Sequence, residues 1–89
     1  MNKNQKHIVK IIISCNNLDE LHRAKQAVLY HLETLNPEFQ VTNRKLTVTV
    51  IPIDPKLFQP VEACNIIRQT LAQSLTFIHD WTCTLHIIN

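Results

Sequence analysis

The chain has 89 residues, a formal net charge of +2 and a hydrophobic content of 45%. This length corresponds to one domain with a modest core, and the composition is that of a folded chain. No apolar run approaches the roughly 20 residues of a membrane-spanning helix, and the polar N-terminus lacks the apolar core of a secretory signal. We therefore predict one cytoplasmic domain over residues 1–89, without membrane attachment and with a flexible tail at 1–6.

Two features of the composition exclude whole classes of site. The chain has no glycine, which excludes the glycine-rich phosphate loops of P-loop and dinucleotide-binding proteins, because those loops need unobstructed backbone N–H groups. The chain also has an odd number of cysteines, which are widely spaced: Cys15, Cys64 and Cys83. We expect reduced thiols rather than a disulfide framework, and we predict no cofactor.

The first part of the chain predicts a strand and then an amphipathic helix. His7–Ser14 has two rather apolar rows, as a central strand does. Asn17 is a suitable helix N-cap, and Glu20 three residues later completes a pattern like a capping box. The helix is expected over about 18–35. Its apolar stripe consists of Leu21, Ala24, Val28, Leu32 and Leu35.

Two strands joined by a tight turn are predicted next. Phe39–Thr42 is a short extended segment, and Asn43-Arg44 has the character of a two-residue hairpin turn. Lys45–Ile53 alternates β-branched and polar residues, which is the pattern of a strand with one buried face. Asp54-Pro55 then opens a loop.

A second helix and a last strand complete the chain. The helix begins near Pro60, a residue suited to a first helical turn. Its expected apolar stripe is Val61, Cys64, Ile67, Leu71, Leu75 and Ile78. The last strand, Trp81–Ile88, is expected to direct its odd-numbered residues inward, with Trp81 closing one end of the core.

The element order predicts a ferredoxin-like β-α-β-β-α-β two-layer sandwich of the α+β class. Right-handed crossovers would put strands one and three in the middle of the sheet and both helices on one face. The alternative is a thioredoxin-like β-α-β-α-β fold, in which Phe39–Thr42 is a loop.

The sheet face opposite the helices is the candidate interaction surface. Its outward positions combine isoleucine and threonine with few charges, and a contiguous apolar patch commonly marks an interaction site. A solvated face with scattered apolar residues is the alternative interpretation. The candidate partner-binding residues are Ile8, Lys10, Ile12, Thr47, Thr49, Ile51, Thr84 and His86.

This surface predicts a small non-enzymatic protein–protein interaction or regulatory module. It would act through the open sheet face or a strand edge, as a homodimer. No convergent catalytic set accompanies it. One alternative is a nucleic-acid-binding protein in which Lys10, Arg44 and Lys45, with tail lysines, contact phosphates. The outward strand positions nevertheless lack the aromatic residues on which RNA-binding sheets stack bases.

A second alternative is a small thiol-dependent enzyme that uses Cys15. This residue precedes a helix N-terminus, where the helix field can lower a thiol pKa, but no histidine has a spacing that identifies a base. A structural thiol is the simpler interpretation, and Cys64 and Cys83 are expected in the core. The histidines form no helical i,i+4 pair and no finger-like pattern with cysteine, so we predict no metal site.

Overall fold

The computed structural model of the protein describes residues 6–51 and 59–88. The elements run β1 (Lys6–Ser14), α1 (Leu18–Leu32), β2 (Glu38–Thr42), β3 (Lys45–Val50), α2 (Pro60–Ser74) and β4 (Asp80–Ile88), with a 3-10 turn over Glu33–Leu35. These elements confirm the α+β class. No helix in the described ranges is long and apolar enough to cross a membrane. The expected loop at Asp54-Pro55, residues 52 and 53 of the expected strand, and tail residues 1–5 lie outside the described residues.

The strands form one antiparallel sheet in the order β2-β3-β1-β4. The central strand β1 pairs on both sides, so that Ile11 lies opposite Val48 of β3 and Cys83 of β4. The second strand pairs with β3 along its whole length, with Phe39 opposite Val48. The alternative in which Phe39–Thr42 is a loop is therefore wrong, because this segment supplies an edge strand.

The β2–β3 hairpin uses left-handed backbone at both turn residues. Asn43 has φ 49° and Arg44 has φ 65°, which is the pattern of a type I′ turn. Asparagine tolerates this region better than arginine does. The Arg44 side chain donates from Nη1 to the Asn16 carbonyl at 2.9 Å, and this bond ties the hairpin to the end of β1.

The two helices begin where the sequence predicts and end earlier. The Asn17 side chain accepts from the Glu20 N–H at 2.8 Å, and the Glu20 carboxylate accepts from the Asn16 N–H at 3.0 Å. The α-helical part of α1 ends at Leu32, and the 3-10 turn that follows ends before Asn36, which is left-handed with φ 51°. The second helix ends at Ser74, and the turn after it still buries Leu75 and Ile78.

Both helices pack on the same face of the sheet, and one buried cluster joins them to it. The cluster consists of Val9, Ile11, Ile13, Cys15, Ala24, Val28, Leu32, Leu46, Val48, Val50, Cys64, Ile67, Leu71, Leu75, Ile78 and Cys83. Two residues expected in the core are exposed: Val61 of α2 at 60% and Ile87, near the end of β4, at 55%. At 100° per residue, Val61 lies about 90° from the mean direction of the buried α2 residues, which places it to one side of the face that meets the sheet.

Shortening the fully buried Ile11 should destabilise the protein more than the same change on the surface. We expect Ile11→Val to lower the free energy of unfolding by about 1 kcal/mol, because a methyl group is lost from a packed interior. The matched control is Ile66→Val on α2, where the side chain is 50% exposed and the change should be under about 0.5 kcal/mol. Urea unfolding followed by circular dichroism measures both, and equal losses would contradict this core assignment.

Candidate functional site

The side of the sheet away from the helices, here called the outer face, is organised in rows across the strands. Residues directly opposite each other in adjacent antiparallel strands point to the same face, so the register defines these rows. Row one is Glu38, Thr49, Lys10 and Thr84; row two is Gln40, Thr47, Ile12 and Thr82; row three is Thr42, Lys45, Ser14 and Asp80.

The register brings most of the candidate partner-binding residues into contact with one another across the strands. Row one holds Lys10, Thr49 and Thr84, row two holds Ile12 and Thr47, and Ile8 lies opposite His86 beyond row one. Ile51 follows the end of β3 and is 65% exposed, whereas Ile8 is only 9% exposed. The exposure of the candidate residues therefore varies along the outer face, and Ile8, at one end, is almost completely buried.

The formal charges on these rows balance, and they flank an uncharged centre. Row one carries Glu38 and Lys10, and row three carries Lys45 and Asp80, while row two carries no ionisable side chain. Ile12 and Thr47, in the middle of row two, are half-buried. Such a surface presents no net repulsion to a second copy of itself, because each charged row contains one residue of each sign.

A cavity of about 460 Å³ opens at one end of the outer face, next to the α1–β2 connection. Its lining residues are Ile8, Thr34, Leu35, Asn36, Glu38, Thr49 and Ile51. Three of these are candidate residues from the sequence. The others were not among the candidates. Thr34, Leu35 and Asn36 belong to the turn after α1, which carries no periodic strand pattern, and Glu38 precedes the expected strand Phe39–Thr42 although it is the first residue of β2.

The histidines of the first and last strands point to opposite faces. His86 shares a hydrogen bond of 2.8 Å between its Nε2 and the Thr84 hydroxyl, on the outer face. Since Ile8 lies opposite His86, the adjacent His7 points to the helix-covered side. Within residues 6–51 and 59–88, no group of three histidine, cysteine or acidic side chains is placed to hold a metal ion.

The environment of Cys15 opposes thiol activation. The side chain is buried at the end of β1, and burial raises its pKa, with a further increase from the Glu20 carboxylate. The expected lowering by the helix N-terminus is therefore outweighed, because burial disfavours the charged thiolate and the Glu20 carboxylate adds negative charge beside it. A raised pKa leaves less of the nucleophilic thiolate at neutral pH.

Cys64 of α2 and Cys83 of β4 are buried core residues, as predicted. Their Sγ atoms are 4.0 Å apart and unbonded. Burial and the neighbouring Cys64 raise the pKa of Cys83 to about 12, although the Arg68 guanidinium acts in the opposite direction. Both thiols therefore function as packing groups between the helix and the strand.

Comparisons with known proteins leave the family open. No protein-family model and no curated protein matches the chain. One solved structure with some likeness is described as the structure of domain of unknown function DUF77 from Bacillus cereus. It is 7% identical, its TM-score is 0.33, and the alignment covers 100% of this chain and 81% of that one. A likeness of this size carries no argument about fold or function.

We expect Cys15 to be alkylated more slowly in the native protein than in the urea-unfolded chain. The ratio of the unfolded rate to the native rate should be largest near neutral pH, because the raised pKa lowers the thiolate fraction of native Cys15. This ratio should fall as the pH rises past the ordinary thiol pKa, where the unfolded thiol is already ionised. Iodoacetamide labelling between pH 7 and 10, read by peptide mass spectrometry, measures the rate at each cysteine. If Cys15 were labelled faster in the native protein than in the unfolded chain, the result would contradict this prediction and favour the thiol-enzyme alternative.

Proposed function

We propose that this protein is a small non-enzymatic interaction module with a ferredoxin-like fold, which forms a homodimer by packing two outer faces together. The strand order β2-β3-β1-β4, with both helices on one side, supports the ferredoxin-like arrangement. The outer face is left for the partner, because the helices cover only the opposite side of the sheet.

The uncharged second row of the outer face carries this proposal. Ile12 and Thr47 lie in it side by side, between two rows whose formal charges cancel. Isolated exposed apolar residues are common on protein surfaces, but an uncharged row between two rows of balanced charge suits contact with a second copy of the same face. Face-to-face packing would bury Ile12 and Thr47 and bring rows of opposite charges near one another.

We propose a cytoplasmic location for the dimer. The support is the cysteine pattern of the sequence, since three widely spaced cysteines do not form the disulfide framework of a secreted domain.

Nucleic-acid binding has weaker support as a second candidate function. Lys10 and Lys45 lie on the outer face, but each shares its row with an acidic residue. The three rows contain no aromatic side chain on which a base could stack. Binding to RNA or DNA with a strong salt dependence would favour this candidate over the homodimer.

The homodimer is tested by the solution mass, from light scattering during size-exclusion chromatography at low and high salt. We expect about twice the 10.3 kDa of one chain, with little salt dependence. Ile12→Lys should convert the protein to a folded monomer, because it would place an unpaired charge in the centre of the packed faces.

The matched control is Gln26→Lys, at an exposed position on α1 away from the outer face. It adds the same charge and should leave the dimer intact, and circular dichroism should show native structure in both variants. A monomeric wild type, or a dimer that survives Ile12→Lys, would reject the proposed face.

A further inference from the structure

Among the residues that the structure describes, β4 is an edge strand, and it directs a defined set of backbone polar groups to the side on which no further strand pairs with it. The Cys15 N–H donates to the Arg44 carbonyl at 3.0 Å, so odd-numbered residues of β1 direct their backbone groups towards β3. Even-numbered residues of β1 then bond to β4, where Thr82, Thr84 and His86 lie opposite them. The N–H and C=O groups of the odd-numbered β4 residues therefore point outward: Trp81, Cys83, Leu85 and Ile87.

Arg68 of α2 reaches over this edge and occupies one of its acceptors. Its Nη2 donates to the Cys83 carbonyl at 2.6 Å, which agrees with the outward direction of that group. Its Nη1 donates to the Asn65 side chain at 2.7 Å. Nη2 also lies 3.7 Å from the Cys64 Sγ. These contacts hold the guanidinium beside the strand, and they leave the Nε–H and the second Nη1–H of its five N–H groups for a ligand.

The fixed guanidinium forms one wall of a groove along the β4 edge. The groove has a volume of about 290 Å³ and is lined by Arg68, Trp81, Thr82, Cys83 and Thr84. At Cys83 the carbonyl is already bonded to Arg68, while the N–H of the same residue still points outward. The ligand that fits this position accepts hydrogen bonds, donates none and carries negative charge. A carboxylate has this chemistry, and its two oxygens can accept from the Arg68 guanidinium and the Cys83 N–H.

We propose that the β4 edge binds an extended peptide whose free C-terminal carboxylate lies between Arg68 and the Cys83 N–H. Beyond this point the outward groups of Leu85 and Ile87 are available for strand pairing. A peptide that enters beside Ile87 and has its C-terminus at Cys83 runs antiparallel to β4, and antiparallel strand pairs are the commoner kind. The main chain supplies the pairing, and the carboxylate sets the register.

This site is distinct from the surface of the proposed homodimer. It uses the side of β4 that faces away from β1, whereas the homodimer uses the rows across the strands. Thr82 and Thr84 border both surfaces. A charged residue at a free edge can also serve only to prevent edge-to-edge aggregation. The two roles of Arg68 predict different results in a binding measurement.

The test uses the fluorescence of Trp81, the one tryptophan of the chain, which lines the groove. The probes are the peptide acetyl-Val-Thr-Val-Thr-Val with a free C-terminal carboxylate and the same sequence with a C-terminal amide. We expect the acid form to change the fluorescence saturably and the amide form to bind at least tenfold more weakly. Arg68→Gln should weaken binding of the acid form at least tenfold, because it removes the charged donor.

The matched control is Arg23→Gln, which removes the same charge from α1, where Arg23 lies over the Phe77 ring at 4.1 Å. It should leave peptide binding unchanged. Equal binding of the acid and amide forms would overturn carboxylate recognition, as would equal losses in the two arginine variants. Binding of neither peptide would overturn the site and assign Arg68 to protection of the edge. The solution mass of Arg68→Gln should match the wild type, so this result and the homodimer test can fail separately.

Discussion

The burial of the inward row of β1 is the constraint on which the rest of the structure depends. Val9, Ile11 and Ile13 are completely buried, and each lies opposite an inward residue of β3 and of β4. Because β1 pairs on both sides, its register decides which residues of the neighbouring strands meet the helices. A slip of one residue would exchange the core and the outer face on a whole strand, so the apolar row defines both surfaces at once.

The same constraint shapes the outer face. The register places Lys10 in row one, between Thr49 and Thr84. Its aliphatic stem can lie along the sheet there while its ammonium group reaches water. Ile12 occupies the uncharged row because its neighbours Ile11 and Ile13 are required inside. The apolar character of the outer face therefore follows in part from a central strand that is apolar on both sides.

The end of β1 shows how one side chain can act on two neighbours. Glu20 accepts from the Asn16 N–H and helps to begin α1. Burial raises the pKa of Cys15, and the Glu20 carboxylate adds to this rise. The acidic group that suits the positive end of the helix therefore disfavours a thiolate beside it.

The sequence by itself determined the type and order of the elements, because residue periodicity, the cap at Asn17 and the turn at Asn43-Arg44 are local properties. It also identified most of the core, although Val61 and Ile87, both expected inside, are exposed. Val61 lies beside the buried stripe of α2, because a spacing of three drifts around a helix, and Ile87 lies near the end of β4. Only the tertiary structure decided the cavity beside Asn36, the raised pKa of Cys15 and the reach of Arg68 to the Cys83 carbonyl. Each of these features depends on contacts between distant segments of the chain or on the depth to which a group is buried. The spacing of residues along the sequence encodes neither property.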